Sequence, residues 1–295
     1  MNLNQMTDHF IVCHYNSCHL TGLRNKSAVF NIDTMSDLEE VKNAARTNNI
    51  HIHCIRFKSK KALSEIIFRK EWSGIPIAME APALGRVSIF LRMAQIIKNL
   101  NIRFYFSTDS KSCYQDVRIL SSLGYHCAVI INGSSVNWEE LTDLMTYALL
   151  NRIEHQEIHP FDYVVRYYHP QNRTDYNAVY FNDAARYIYL SDEGVLSLSP
   201  DSKDSDCKIS EDLKSIDNIS ETQVYKDYSY RWHKFFLKPT ECASCSGWRI
   251  CLGKYEAYIK QNPGCKLFFS EFLDSVEIRL KNKETDNKEK PIWQP

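Results

Sequence analysis

Four cysteines lie close together toward the carboxyl end of this chain and could bind a metal. Cys242, Cys245, Cys251 and Cys265 follow the spacing Cys-x2-Cys-x5-Cys-x13-Cys within "ECASCSGWRICLGKYEAYIKQNPGC". Four thiolates can enclose one centre, either a tetrahedral Zn²⁺ or an iron–sulfur cluster. Zinc ribbons more often carry two Cys-x2-Cys pairs and this segment has one, but the spacing alone leaves both metals open. The pattern predicts a metal site at these four residues.

The other six of the ten cysteines give weaker evidence of a metal site. Cys54 and Cys127 lie in apolar, strand-like runs, where a free thiol packs as a small hydrophobic group. The stretch "CHYNSCH" (13–19) contains two cysteines and two histidines that could form a second zinc site. Because adjacent side chains on a strand point to opposite faces, we favour two incidental Cys–His pairs at the end of a strand.

Composition excludes several classes of protein. Lys+Arg and Asp+Glu both number 36 in 295 residues, so the chain lacks the basic surplus that is typical of nucleic-acid binders. No apolar run approaches the roughly 18 residues of a membrane span. The first residues, "MNLNQMTDHF", do not have the layout of a signal peptide. We therefore expect a cytoplasmic protein that binds neither nucleic acid nor membranes.

Strand-like and helix-like runs alternate from residue 51 onward. The predicted strands are "IHIHCIRF" (50–57), "GIPIAME" (74–80), "IRFYFST" (102–108) and "YHCAVIIN" (125–132). The predicted helices between and after them are "KKALSEIIFRKEW" (60–72), "VSIFLRMAQIIKNL" (87–100), "SCYQDVRILSSL" (112–123) and "NWEELTDLMTYALL" (137–150). This alternation predicts βαβ units and the α/β class. The units are too few for a closed eightfold barrel, so we expect a partial (β/α) barrel or an open parallel sheet.

The alternation of strand-like and helix-like runs ends after residue 160. "YVVRYYHP", "AVYFND", "RYIYLS" and "VLSLSP" alternate like strands, and "DEG" predicts a hairpin between the last two. Further on, "FFSEFLDSVEIRLK" has apolar residues at helical spacing and predicts a docking helix. We therefore expect a strand-rich segment at 1–50 that is a candidate peptide-docking region, an α/β domain at 51–170, a small β-hairpin/α domain with the metal cluster at 171–280, and a disordered tail at 281–295.

The cysteine spacing resembles the SPASM domain, which follows the radical-SAM barrel in many peptide-modifying enzymes. That family pattern has a hairpin with Gly-x4-Cys, then Cys-x2-Cys-x5-Cys-x3-Cys and a final Cys, and it holds two [4Fe-4S] clusters. The ligands of the second cluster correspond to the four cysteines from Cys242 to Cys265. Those of the first cluster are missing: Gly194-x4 leads to Ser199, and Tyr255 stands at the x3-Cys position. The resemblance covers residues 178–280 and implies one [4Fe-4S] cluster.

The chain departs from radical-SAM enzymes at their catalytic motif. Those enzymes cleave S-adenosylmethionine at a cluster held by Cys-x3-Cys-x2-Cys, and this sequence has no such triplet. "MEAP" (79–82) is only faintly similar to the family's Gly-Gly-Glu-Pro turn, because Met79 replaces a glycine and Glu80 remains. We therefore expect no S-adenosylmethionine chemistry.

A second, shorter resemblance concerns partners. "HLTGLRNKSAVFNID" (19–33) is similar to the N-terminal region of proteins in the grasp-with-spasm system, which lack the radical-SAM motif. Pseudo-radical-SAM proteins of peptide systems are the neighbouring alternative. Either resemblance implies a non-catalytic iron–sulfur protein that works with a precursor peptide and an ATP-grasp ligase or a similar maturation enzyme. A zinc-stabilised adaptor and a redox protein that passes electrons through the cluster stay open as alternatives.

Overall fold

A computed structural model describes residues 9–15, 17–151, 153–200, 205–210, 219–230, 236–237 and 240–289. The chain divides into two compact units, and each is built from two separate stretches. The first unit comprises Met1–Tyr105 and Asn177–Lys234, and the second comprises Phe106–Tyr176 and Phe235–Pro295. These units begin and end at other positions than the four segments expected from the sequence.

The secondary-structure elements follow one another along the chain with these bounds. The strands are β1 Phe10–His14, β2 Ser27–Ile32, β3 His51–Lys58, β4 Ile77–Glu80, β5 Ile102–Ser107, β6 His126–Ile130, β7 Ile158–His159, β8 Tyr187–Leu190, β9 Leu196–Ser197 and β10 Lys208–Ser210. The α-helices are α1 Asp37–Thr47, α2 Val87–Leu91, α3 Ala94–Ile97, α4 Cys113–Ser122, α5 Trp138–Leu150, α6 Phe161–Tyr167, α7 Gln223–Ser229, α8 Trp248–Cys251 and α9 Cys265–Glu289. Short 3₁₀ helices include Leu63–Glu65, Lys70–Trp72, Tyr176–Tyr180 and Glu241–Ser244.

The first unit is built on a mostly parallel sheet. Its strands hydrogen-bond in the order β10-β9-β8-β1-β2-β3-β4-β5. Neighbours from β8 through β5 run parallel, whereas β8–β9 and β9–β10 are antiparallel. The predicted α/β class and the predicted hairpin between β8 and β9 are confirmed.

The strands at the start of the chain lie inside this sheet rather than at its edge. Strand β1 pairs with β2 on one side and with β8 on the other, and β2 pairs with β1 and β3. An extended peptide adds to a sheet through an unpaired strand edge. Neither β1 nor β2 offers one, so the candidate docking region at 1–50 cannot bind a peptide by strand addition to these two strands.

The two faces of this sheet have different chemistry. On one face Phe104 packs edge-to-face against Phe68 and Phe90, and α1 packs against β2 and β3. Successive side chains of a strand point to opposite faces. Arg103 and Tyr105 therefore project to the face opposite Phe104, so that one face is apolar and the other carries polar groups.

The second unit is held together by α9. The helix buries one stripe, Phe268, Phe269 and Phe272 among others, at the spacing i, i+1, i+4 that places side chains on one helical face. Phe268 lies 5.5 Å from the Trp138 ring in α5, and Phe272 lies 5.4 Å from Phe161 in α6. The predicted docking helix is confirmed. It extends to Glu289, into the expected tail, while 290–295 lie outside the described residues.

Three sequence-based assignments are wrong. One is "AVYFND" (178–183), a predicted strand that begins in the 3₁₀ helix Tyr176–Tyr180. The segment 60–72 has 3₁₀ turns in place of an α-helix, because the backbone N–H of Ser64 donates to Leu84 and its hydroxyl accepts from Arg86. The segment 163–170 lies largely in α6 rather than in a strand, because helical spacing buries Val164 together with its neighbours. In the segments 60–72 and 163–170, tertiary contacts override the secondary structure that the local sequence pattern favours. No helix within the described ranges has both the length and the apolar character to cross a membrane.

Candidate metal centre

All four cysteines of the sequence motif line one pocket of the second unit. Cys242 lies in the 3₁₀ helix Glu241–Ser244, and Cys245 follows it. Cys251 is the last residue of α8, and Cys265 is the first residue of α9. Two short helices, the residue that follows the first of them and one long helix therefore bring together thiols that are spread along the sequence.

The remaining wall of the pocket is largely apolar. Trp248, Ile259 and Phe269 contribute to it, while Glu256 and Lys266 add charged groups. The cavity has a volume of about 20 Å³, room for about one water molecule. The pocket is thus a cysteine-rich cavity with a largely apolar wall.

Burial raises the pKa of the thiols that line the pocket. Burial raises the pKa of Cys251 to about 12, and burial followed by the nearby Glu256 carboxylate raises the pKa of Cys242 to about 11. Burial also raises the pKa of Cys265. With no cation beside them these thiols keep their protons at neutral pH. A metal that binds here must displace those protons, so its affinity rises with pH.

The turn after Cys251 directs backbone donors at its sulfur. Leu252 and Gly253 both have left-handed backbones, with φ of 53° and 74°. Burial raises the pKa of the Cys251 thiol, and the backbone N–H groups of Tyr255 and Lys254 lower it in part; the Lys254 N–H also donates to the Cys251 carbonyl oxygen at 3.1 Å. Hydrogen bonds to the sulfur favour the thiolate over the thiol, and a left-handed conformation is costly for a bulky residue such as Leu252. The turn therefore favours an anionic sulfur at a position where burial alone opposes it.

A second set of contacts holds the chain segment that leads to Cys265. The Asn262 side chain donates to the carbonyl oxygens of Val136 at 2.8 Å and Gly133 at 3.3 Å. The Trp138 indole N–H donates to the Asn262 carbonyl oxygen at 3.2 Å. Gly264 has φ of 131°, and a Cβ there would lie 2.7 Å from Cδ1 of Trp138. Local sequence patterns did not reveal these partners, because they lie more than a hundred residues away.

Tyr255 is a core residue at the position where the SPASM pattern has a further cysteine. It is 1% exposed, and its hydroxyl lies 2.6 Å from the hydroxyl of Tyr176. Its ring stacks on Phe269 and meets Trp138 edge-to-face. This position is filled by aromatic packing that joins the cysteine segment to α5 and α9.

Three of the cysteines outside the motif are packed into strands. Cys54 is 6% exposed and Cys127 is fully buried, which confirms the interpretation of both as packed thiols. Cys13 is also buried in β1, and burial raises its pKa to about 12. The side chains of Cys18 and His19 lie outside the described residues.

As placed, the described His, Cys, Asp and Glu side chains include no group of three or more that could hold a metal ion. The four motif sulfurs line the pocket wall instead of meeting at one point. The structure therefore brings the four predicted residues to one cavity, and the metal itself stays a prediction.

We expect Asn262→Ala to destabilise the cysteine segment. The substitution leaves two carbonyl oxygens without their side-chain donor, which costs roughly 1–3 kcal/mol in the free energy of unfolding. Urea unfolding measures this change. Asn99→Ala is the control, because Asn99 is exposed and, within the described residues, its side chain donates one hydrogen bond, to the Gln95 carbonyl oxygen; we expect an effect within about 0.5 kcal/mol. Equal effects of the two substitutions would contradict the anchoring role of Asn262.

Comparison with known proteins gives no family assignment. No protein-family model matches the chain, and no curated protein matches it either.

Proposed function

We propose that this chain is an iron–sulfur accessory protein in the maturation of a ribosomally synthesised peptide, and that it performs no radical reaction itself. Cys242, Cys245, Cys251 and Cys265 would hold one [4Fe-4S] cluster. The observation that carries the proposal is the convergence of these four thiols on one pocket. The backbone donors at the Cys251 sulfur fit a thiolate ligand. The partners, a precursor peptide and an ATP-grasp ligase or similar enzyme, follow from the resemblance to SPASM proteins.

The cluster's main contribution would be to the folding of the cysteine segment. Much of this segment consists of turns and short 3₁₀ or α-helical pieces between Glu241 and Tyr258, whose internal backbone hydrogen bonds are local and span three or four residues. Metal binding to such a segment adds to its folding free energy. Four thiolates saturate the cluster and leave no position for a substrate, which supports a structural role. When bound, the group can also transfer single electrons, and this is the basis of the redox alternative.

Metal analysis of anaerobically purified protein tests the assignment. We expect about four irons and four acid-labile sulfides per chain, as the cluster formula requires, with visible thiolate-to-iron absorption. One equivalent of zinc without sulfide would contradict the iron–sulfur proposal and favour the zinc-stabilised adaptor. Reversible bleaching by a physiological electron donor would favour the redox alternative.

Co-purification tests the choice of partners. The full-length protein should retain a co-encoded precursor peptide and ligase. Retention of neither, by protein that carries its cluster, would remove peptide maturation from the proposal and leave the metal site intact.

We expect no 5′-deoxyadenosine when the reduced protein is mixed with S-adenosylmethionine. The sequence lacks the Cys-x3-Cys-x2-Cys triplet. In addition, Glu80, which remains from the methionine-binding turn, lies 2.7 Å from the Lys58 ammonium. Chromatography of the quenched reaction measures the product, with Cys242→Ala protein as the control. Product formation above that control would show that the chain does carry out radical chemistry.

A further inference from the structure

The four cysteines of the motif differ in their access to solvent. Cys242 and Cys245 are half-buried, whereas Cys251 and Cys265 are buried and each only 8% exposed. A dissolved oxidant must reach a thiol to react with it, so oxidation selects accessible cysteines over buried ones. Within the motif, the Cys-x2-Cys pair is therefore the part that is open to redox chemistry.

A single turn holds Cys242 and Cys245 close to each other. The Cys245 backbone N–H donates to the Cys242 carbonyl oxygen at 3.3 Å, at the end of the 3₁₀ helix Glu241–Ser244. A hydrogen bond between residues i and i+3 accompanies a Cα separation of less than about 7 Å. Disulfides join residues whose Cα atoms are about 4.4–6.8 Å apart. The backbone of this turn is therefore suited to a disulfide between the two cysteines.

Cys265 is the competing partner for Cys245. Burial followed by the charge of Cys245 raises the pKa of Cys265, which indicates that the two thiols are near each other. Cys265 is buried and begins the long helix α9, so a disulfide to it must link two elements that pack separately. Cys242 and Cys245 share one short turn, where a small local adjustment is sufficient. The accessible pair is therefore favoured over the pair that includes Cys265.

We propose that Cys242 and Cys245 form a reversible disulfide in the metal-free protein, and that this bond controls metal loading. The oxidant is a small-molecule disulfide such as oxidised glutathione. Two exchange steps join the cysteine sulfurs, and the two protons and two electrons that the cysteines lose pass to the small molecule, which leaves as two thiols. The disulfide withdraws two of the four sulfur ligands. The control of loading rests on the proposed metal site, whereas the disulfide itself does not.

Peptide mapping of the full-length protein tests the disulfide. The protein is stripped of metal with a chelator, equilibrated with oxidised and reduced glutathione, alkylated and digested with trypsin. Because trypsin cleaves after Lys and Arg, Cys242 and Cys245 stay together on the peptide that ends at Arg249, and Cys251 and Cys265 fall on two other peptides. We expect the first peptide to be two hydrogens lighter and unalkylated at oxidising ratios, and to be alkylated twice after treatment with dithiothreitol.

Zinc uptake tests the control of metal loading, because four thiolates bind Zn²⁺ whichever metal the site takes natively. We expect oxidised protein to bind Zn²⁺ at least about tenfold more weakly than the same protein after reduction, since even residues outside the ligand set change metal affinity by about tenfold or more. Protein loaded with Zn²⁺ beforehand should keep both cysteines reduced in the same glutathione mixture. Cys127→Ala is the matched control, because Cys127 is a fully buried thiol outside the motif, and it should behave like the wild-type protein.

Three results would overturn the proposal: no disulfide within the peptide that ends at Arg249, a cross-link from that peptide to another peptide or to a second chain, or equal Zn²⁺ affinity of oxidised and reduced protein. The wild-type protein decides all three without any variant. Iron and sulfide are measured on separate, anaerobically purified protein, so a failed disulfide leaves the iron–sulfur assignment standing. Zinc in place of iron would contradict that assignment and leave the disulfide proposal intact.

Discussion

Replacing Cys251 or Cys265 by alanine is expected to remove the metal and to lower solubility at the same time. Both thiols line the pocket, and each is only 8% exposed. Loss of one ligand releases the metal, and with it the free energy that holds the segment folded. Iron and sulfide content per chain, together with the soluble fraction after expression, measures both effects. Cys242→Ala and Cys245→Ala should behave in the same way.

Two buried cysteines provide the controls. Cys54→Ala and Cys127→Ala each remove a packed thiol in a strand and should keep the full metal content. Their cost should stay within the roughly 0.5–3 kcal/mol of ordinary point substitutions. Full metal retention in Cys251→Ala and Cys265→Ala would show that the pocket is not the metal site.

Gly264→Ala is expected to cause the second large loss. Its φ of 131° is a region open almost only to glycine, and the new Cβ would lie 2.7 Å from Trp138. Backbone strain and overpacking each cost of order 1–3 kcal/mol, so about 3 kcal/mol or more is expected in the free energy of unfolding. Because Gly264 precedes Cys265, metal content should fall as well. Chemical unfolding and metal analysis of one preparation measure both.

Gly124→Ala separates the cost of backbone strain from the cost of overpacking. Gly124 also has a positive φ, 89°, but a Cβ there would meet no atom within 4 Å. This control should lose only the roughly 1–2 kcal/mol of a left-handed residue and should keep its metal. If Gly264→Ala is no less stable than Gly124→Ala, the contact with Trp138 does not matter.

The sequence was informative wherever one local pattern dominated. Alternating β-branched and aromatic residues predicted β3 to β6, and apolar residues at helical spacing predicted α4, α5 and α9. These patterns agree with the final packing, so local and tertiary preferences pointed the same way. The cysteine spacing led to the expectation of a shared site, and the four thiols do line one pocket.

The surroundings of the pocket could not be predicted, because their determinants are distant in sequence. Nothing near Asn262 indicates that its amide bonds the loop before α5. Tyr176 and Tyr255 pair across a long stretch of chain. That Arg56 and Arg103 share one face of the sheet shows only after the strands are placed in register, since they lie in two separate strands.

The pairing of β1 with β8 also sets an order for folding during synthesis. Strands β1, β2 and β3 are made early and can join at once, but the second edge of β1 must wait for Tyr187–Leu190. Pairing over such a distance is slow, because a long loop must close first. Until then the nascent chain exposes an edge to which another chain can add. Helix α9 is made later still. If translation stops before α9 is complete, the released product has an unfinished second unit.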